Sequence, residues 1–563
     1  MNGAEVPEPG TGSGGTTSAG PEPVAGSGDT TSAGPEPAGG AAAPLGSASD
    51  SPFDGVVYQV YPRSFRDTSG DGVGDLAGIT AGLDHLAWLG VDAVWLSPIY
   101  RSPMKDFGYD VSDHCDVDPT FGSLADVDAL IAAAHERGLE VWLDFVPNHT
   151  SDQHPWFQDA IGSRQAPKRD WYVWRDPAPD GGPPNNWTRD FGDGAPAWTF
   201  EEATGQYYLH EFLPEQPSVD WTNPELREAM LEVLRFWMAR GVDGFRSDVI
   251  HLIGKSPELP DDPPELRGIP RAGHHHDPGA VAPHLRAIRR CLDDVPGTTM
   301  VGEVNLPDAA QVATYVGADR LHLAFQFGLL YAPWEAKSWR DTIRYVQSCF
   351  EAVGVPPTWV LSNHDWSRIA SRAGGQAGAR AAATLLFTLR GVPFLYMGDE
   401  LGMADAVVPP GRVVDPGGRD GCRAPLPWTS EPSQRHGWAG DPWLPWPPDP
   451  AAHSVEAQRQ DPRSVLHLHR RLIALRRDHP SLRSGGMRRL DVHDDVIAFD
   501  RGPASGSPVV RVLANLGADD LEVEEGIGWR VVLTTDLDPA TEDRPFGGRL
   551  PASSAVLLEA GAD

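Results

Sequence analysis

Arg246 and Asp248 stand two residues apart in the segment Gly244-Phe-Arg-Ser-Asp-Val249. On a β-strand that spacing turns both side chains to one face. A guanidinium beside a carboxylate favours the ionised form, which is the state a nucleophilic carboxylate needs. The competing reading is a structural ion pair. Glu303, in Val301-Gly-Glu-Val304, has apolar neighbours and no cation beside it in sequence. A carboxyl so placed holds its proton to higher pH and can donate it, unless it serves only as a salt-bridge partner. Asp365 ends Leu361-Ser-Asn-His-Asp365 and supplies a third carboxylate, while His149 and His364 add two polar donors. Together these residues suit displacement at carbon, with one carboxylate attacking and another moving the proton.

The elements that would bring them together are short β-rich runs separated by helical stretches. Eight such runs occur, at Val56–Phe65, Asp92–Ile99, Glu140–His149, Gly244–Ile250, Thr298–Val304, His322–Phe327, Thr358–Asp365 and Pro393–Glu400. Ile79, Leu83, Leu86 and Leu89 mark one face of a helix between the first two, and Leu226, Met230, Leu234 and Trp237 mark another before the fourth. Strand–helix alternation predicts a parallel sheet, and eight units predict a closed (β/α)8 TIM barrel. All the polar residues above fall at the C-terminal ends of their runs, the end at which a barrel carries its active site. Two carboxylates from neighbouring strands, one ionised and one protonated, form the pair that cleaves glycosidic bonds; about 5–5.5 Å between them gives retention of configuration. Asp365 would accept hydrogen bonds from sugar hydroxyls.

The remaining segments define the other domains. Residues 51–148 and 222–480 make the barrel. Residues 149–221, rich in Trp, Asp, Gly and Pro, form an inserted domain, and residues 404–460 form a second long loop. After a helix near 463–478, short strands predict a C-terminal antiparallel β-sandwich over 481–563. Residues 1–50 are rich in Gly, Ala, Pro, Ser and Thr, and Ser-Gly-Gly-Thr-Thr-Ser-Ala-Gly-Pro-Glu-Pro at 13–23 returns with one change at 27–37. That composition predicts a disordered tail.

The chain carries 46 Lys and Arg against 79 Asp and Glu, a net charge of −33, which argues against nucleic-acid and anionic-membrane partners. No run reaches the ~20 apolar residues of a membrane span. The four cysteines, Cys115, Cys291, Cys349 and Cys422, form no CxxC pair, which suits reduced thiols and a cytoplasmic location. The N-terminus has neither the basic start nor the apolar core of a secretory signal.

Asp144-Phe-Val-Pro-Asn-His149, Gly244-Phe-Arg-Ser-Asp-Val249, Val301-Gly-Glu-Val304 and Leu361-Ser-Asn-His-Asp365, in this order, resemble the α-amylase family of glycoside hydrolases, in particular its α-glucosidase and oligo-1,6-glucosidase branch. The resemblance extends over nearly all of residues 52–560. It implies Asp248 as nucleophile, Glu303 as acid/base and Asp365 as transition-state stabiliser, with Arg246, His149 and His364 completing a glucosyl subsite. Asp106-Phe-Gly-Tyr109 is similar to a branch segment whose Asp binds hydroxyls at the non-reducing end and whose Tyr stacks on the ring. Arg419-Asp-Gly-Cys-Arg423-Ala-Pro-Leu-Pro-Trp428 resembles Arg-Asp-x-x-Arg-Thr-Pro-Met-Gln-Trp, with Ala424, Leu426 and Pro427 departing from it. By resemblance, Arg423 would pair with Asp106 and close the pocket, so that one glucose leaves at a time from the chain end. Phe191, Phe212 and Gln216 resemble rim residues, and Val249 resembles the neighbour of the nucleophile in α-1,6-acting members.

Asp67-Thr-Ser-Gly-Asp-Gly-Val-Gly-Asp75 spaces oxygen donors as a Ca2+ loop would, without the Glu of an EF-hand. The branch carries a similar loop for a structural Ca2+ or Mg2+, which implies Asp67, Ser69, Asp71, Val73 and Asp75 as ligands and no cofactor for catalysis. His274-His275-His276 reads as solvated loop. The expected function is an exo-acting retaining α-glucosidase on small α-glucosides. The alternatives are a glucosyl-transferring isomerase of sucrose or trehalose type, an open-cleft endo-amylase, and a non-catalytic barrel.

Overall fold

The computed structural model describes residues 53–191, 193–264, 277–415, 417–503 and 506–560. The repetitive segment 1–50 and His274–His276 lie outside them. All eight runs form strands: β1 (Val57–Val60), β2 (Ala93–Leu96), β3 (Glu140–Phe145), β4 (Gly244–Ser247), β5 (Thr299–Glu303), β6 (Leu323–Phe325), β7 (Thr358–Val360) and β8 (Val392–Tyr396). They pair in parallel in the order β6-β5-β4-β3-β2-β1-β8-β7, with β1 meeting β8 at Val57↔Phe394. The last seam, between β6 and β7, is bridged by side chains: Gln326 Nε2 donates to Thr358 O (2.9 Å) and Thr358 Oγ1 donates to Ala324 O (2.9 Å). These strands are buried on both faces, which is why they read as continuous apolar runs.

The interior face of each strand explains where the polar groups end up. Val57, Trp142 and Val301 belong to the cluster that fills the barrel, with Trp95, Phe325, Val360 and Phe394. Two residues further along, on the same face, come Gln59, Asp144 and Glu303. Gly244 stands opposite Trp142 and Arg246 opposite Asp144. The period of two thus delivers an apolar plug first and a polar mouth after it.

Helix α1 (Leu76–Leu89) starts at Asp75, whose carboxylate accepts from Gly78 N (2.7 Å), and stops at Gly90 in the left-handed conformation (φ 95°). Helix α2 (Pro224–Ala239) is capped by Asn223 and buries Leu226, Met230, Leu234 and Trp237, the stripe read from the sequence. Helix α3 (Val465–Asp478) closes the barrel region. A hairpin the sequence reading missed, Tyr100–Arg101 with Asp113–Val117, follows β2 and carries Asp106 and Tyr109 in its loop.

The insert after β3 folds around an antiparallel sheet of Trp174–Arg175, Gln206–Leu209 and Trp198–Glu201. The C-terminal region is a five-stranded antiparallel sheet of Met487–Leu490, Val496–Arg501, Val510–Asn515, Ser554–Glu559 and Arg530–Thr534, in that spatial order. Its second layer is only a two-stranded ribbon, Leu521–Glu522 with Arg549–Leu550, which covers Val496, Leu513, Val531 and Val556. The opposite face, with Phe499, Val512 and Leu557, joins the main core. Among the described residues no helix is long and apolar enough to cross a membrane.

Candidate active site

Arg246 lies at the centre of the mouth with 3 % of its side chain exposed. Its Nη1 donates to Asp144 Oδ1 (2.7 Å), Asp248 Oδ1 (2.8 Å) and Tyr109 Oη (3.2 Å), and its Nη2 donates to Glu303 Oε2. The two carboxyls expected to do chemistry therefore stand side by side on the two ends of one guanidinium. Gly302 permits the approach of β5 to its neighbours, since a Cβ there would lie 2.3 Å from Leu321 Cδ1. Val249, after Asp248, is buried and left-handed (φ 33°), a strained conformation for a β-branched residue that turns the chain sharply at the nucleophile position.

This geometry corrects two expectations. Glu303 has no cation beside it in sequence, yet Arg246 reaches it from β4. Nor is Arg246 reserved for Asp248, because one positive charge is divided among three carboxylates. Burial pushes the Asp248 carboxyl well above its usual range; Arg246 pulls it back, while Glu303 and Asp144 add to the rise. Burial likewise raises Asp144 to about 7 against the pull of Arg246. Burial thus favours the protonated form of both Asp144 and Asp248, and Arg246 opposes it in both.

A hydrogen-bond chain fixes the polar side of the mouth. Gln59 Nε2 meets His364 Nδ1 (2.7 Å), which assigns the imidazole proton to Nε2. From there it is directed at Tyr109 Oη (2.8 Å) and Asp365 Oδ2 (3.2 Å), and Tyr109 Oη donates to Asp144 Oδ2 (3.1 Å). Burial lowers His364 to about 3 and His149 to about 3, so both rings are neutral. Tyr109 stacks on His364 with ring centres 5.4 Å apart and planes 4° apart.

Arg419 and Arg423 seal one end, with a change of partners. Arg423 does not pair with Asp106. It holds Asp365 (3.1 Å), Asp415 (3.3 Å) and His364 O (2.7 Å), and Arg419 takes Asp106 (2.6 Å), Asp365 (2.9 Å) and Asp415 (2.6 Å). Burial works to raise Asp365, but the charges of Arg419, Arg423 and Arg246 oppose it, with the His364 Nε2–H aimed at the same carboxylate, and hold it well below its usual range. Gln216 Nε2 donates to Asp106 Oδ2 (3.1 Å), and His149 Nε2 lies 3.2 Å from both Gln216 Nε2 and Tyr109 O. Phe191 sits under the Arg419 guanidinium (5.6 Å) and beside Phe212, whose ring meets His149 at 5.2 Å. The residues expected of the substrate pocket are thus gathered at one mouth, while Ala424 and Leu426 pack in the core. Asp144, Gln59 and Asp415 received no role from the sequence. The strand period could have found Asp144 and Gln59; Asp415 lies in an irregular loop and gives no such signal.

The Asp67–Asp75 loop fits a cation only in part. Asp67 accepts from Gly70 N (2.8 Å), Gly72 N (3.1 Å) and Gly440 N (2.7 Å), and Asp75 accepts from Thr68 N (2.8 Å), Ser69 N (3.1 Å) and Gly78 N (2.7 Å). Ser69 Oγ turns to Asp67 (3.2 Å), and Asp71 is exposed and accepts from Val73 N (2.9 Å). Among the described residues no three His, Cys, Asp or Glu side chains are placed to hold a metal. Backbone N–H groups of the loop, of helix α1 and of Gly440 already engage the Asp67 and Asp75 carboxylates.

A parallel barrel whose mouth holds paired carboxyls from adjacent strands on a shared arginine, with a sealed end, defines the class of barrel glycoside hydrolases. The chain belongs to the alpha-amylase family, whose catalytic domain it matches over residues 59–485. It is 42% identical over 509 residues to a probable alpha-glucosidase of Rhizobium meliloti (strain 1021), covering 84% of this chain and 90% of that protein. It is 37% identical over 474 residues to an oligo-1,6-glucosidase of Parageobacillus thermoglucosidasius, covering 76% and 83%. Among solved structures it resembles an alpha-glucosyl transfer enzyme, XgtA, with TM-score 0.83, 40% identity and coverage of 90% and 99%. It also resembles the trehalulose synthase MutB of Pseudomonas mesoacidophila MX-45, with TM-score 0.83, 33% identity and coverage of 90% and 98%.

Two measurements follow. Asp144→Asn removes a negative charge that raises Asp248, so the acid limb of the kcat/KM–pH profile shifts to lower pH while kcat falls on the order of 10²-fold from the loosened Arg246. An acid limb that stays in place or rises would show that Asp144 does not belong to the titrating cluster. For the Asp67–Asp75 loop, the observed geometry gives an unchanged Tm on chelation. A drop restored by Ca2+ or Mg2+ would show that the loop rearranges around an ion.

Proposed function

We propose that this protein is an exo-acting, retaining α-glucosidase that releases glucose from the non-reducing end of small α-glucosides. The observation that carries the exo reading is the sealed end of the pocket. Asp106 and Arg419 are locked together beyond the glucosyl site, and Asp365 and Asp415 anchor the same arginine. A chain extending past the first sugar would have to break this buried network, so a terminal glucose fits and an internal one does not.

In the proposed reaction Glu303, carrying its proton, donates it to the glycosidic oxygen as the bond to C1 breaks. Asp248 attacks C1 from the opposite face and forms a glucosyl ester. The leaving sugar departs as an alcohol. Glu303, now a carboxylate, takes a proton from water, whose oxygen attacks C1 and frees Asp248, and two inversions give net retention. Both carboxyls bind one guanidinium, and this supports the short spacing that the retaining route requires. Asp365, kept ionised by its arginines, accepts hydrogen bonds from ring hydroxyls, and the neutral His364 holds Tyr109 and Asp365 in place. The four unpaired cysteines support a reducing compartment such as the cytoplasm.

A second reading, glucosyl transfer to another sugar, has an observation of its own. The likeness to an alpha-glucosyl transfer enzyme at 40% identity is about as strong as that to the probable alpha-glucosidase at 42%. Incubation with maltose, isomaltose, sucrose, trehalose and soluble starch separates the readings. We expect glucose as the α-anomer from the small substrates, little product from starch interiors, and no activity in Asp248→Asn. Dominant new disaccharides would assign transfer, the β-anomer would overturn retention, and efficient attack on starch interiors would overturn the exo reading.

A further inference from the structure

The sealed end of the pocket is built by segments after β2, β3 and β8: Asp106, Gln216, Arg419 and Arg423. The segments after β5, β6 and β7 occupy the other arc of the mouth, and there the site opens. On that arc Tyr331 is 42 % exposed, whereas side-chain exposure is 8 % for Asp248 and 10 % for Glu303. Glu303 delivers its proton to the leaving-group oxygen, so the departing group lies on Glu303's side. That is the arc which carries Asn305, Tyr331 and Trp366.

These three residues form a built surface. Asn305 is two residues beyond Glu303, and Trp366 directly follows Asp365. Tyr331 ends the short helix after β6, with 42 % of its surface exposed. Its ring meets Trp366 edge to face, with centres 4.8 Å apart and planes at 69°, and its Oη donates to Asn305 Oδ1 (3.0 Å). Beneath it, Phe327 contacts Tyr331 (5.9 Å), Phe325 contacts Phe327 (5.8 Å), and Phe394 contacts Phe325 (4.6 Å). A column of aromatic rings thus rises from the barrel core to Tyr331, whose partners Asn305 and Trp366 lie two residues and one residue along the chain from Glu303 and Asp365. A large exposed tyrosine held in place by a tryptophan and an amide is rigid apolar surface in an otherwise acidic mouth. Flat ring faces pack on such surface.

We propose that Tyr331 and Trp366 are the specificity-determining platform for the group bonded to the glucosyl unit, and that they select leaving groups and acceptors that present the apolar face of a ring. The inference rests on the exo-glucosidase reading, which fixes which side of Glu303 the leaving group occupies. The shared chemistry is a ring face, supplied by a second pyranose or by an aryl group. Tyr331 reads the ring, Trp366 orients Tyr331 and extends the surface, and Asn305 sets the height of the phenol.

The test compares the full-length protein with Tyr331→Ala and Trp366→Ala on maltose, isomaltose, p-nitrophenyl α-glucoside and α-glucosyl fluoride. The fluoride leaving group has no ring to stack, so this substrate reports the glucosyl site and the chemistry alone. We expect kcat/KM on the ring-bearing substrates to fall roughly five- to tenfold further than on the fluoride. A differential loss on maltose and isomaltose assigns the platform to sugar rings, and one confined to the aryl glucoside assigns it to aromatic groups. Tyr331→Phe and Trp366→Phe keep a ring and should recover most of the differential, and they serve if the alanine variants do not fold. Equal losses on all four substrates, or none, overturn the proposal. A wild-type protein inactive on the fluoride and on every glucoside would instead overturn the glucosidase reading itself.

Discussion

A single guanidinium holds three carboxylates at the mouth of this barrel, and most of the site's architecture exists to make that arrangement tolerable. Burying Asp144, Asp248 and Glu303 around Arg246 costs more than one cation can offset if all three are ionised. A retained proton resolves the imbalance, and a retained proton is what acid–base chemistry at a glycosidic oxygen requires. Removing Arg246 would leave buried charges without a partner, whereas a second cation would drain the proton away. The second cation pair in the neighbourhood, Arg419 and Arg423, is accordingly spent on Asp106, Asp365 and Asp415 instead.

That division gives the two halves of the mouth opposite characters. Asp365 itself is held by two arginines, and the carboxylate stays ionised to meet hydroxyl groups. Around Asp248 and Asp144 a single cation is shared, burial works against ionisation of both, and the charge with which Asp248 attacks rests on Arg246. The two regimes are separated by the neutral His364–Tyr109 stack, whose members carry no charge to blur the boundary.

The strands, Asp248 and Glu303 were legible in the sequence because they obey a short period, whereas Asp365 lies past the end of β7 and out of that period. Apolar residues buried on two faces give continuous runs, and a polar residue two positions beyond the inward plug must reach the mouth. Helix α2 was legible for the same reason at a period of 3.6. Partnerships between distant segments were not. Arg419 and Arg423 lie four residues apart in an irregular loop, and nothing local decides which of them meets Asp106. The hairpin at Tyr100–Val117 is too short and too polar to announce itself, and its pairing has an irregular register. Glu303's cation comes from another strand, so its surroundings in sequence misstate its surroundings in space. Trp366 carried no signal because a single aromatic residue after a polar motif is equally at home in a core.

The chain from Gln59 through His364 and Tyr109 to Asp144 points in one direction. Each link donates toward the acidic cluster, and the sense of the whole run is set at its far end by the carboxamide of one glutamine on β1. Reversing any link would need that amide to rotate inside the barrel, where Ser97 also holds it. The dipoles are therefore already aligned toward the mouth when charge moves there. Part of the reorganisation that bulk water would have to perform during the reaction is already complete when the chain folds.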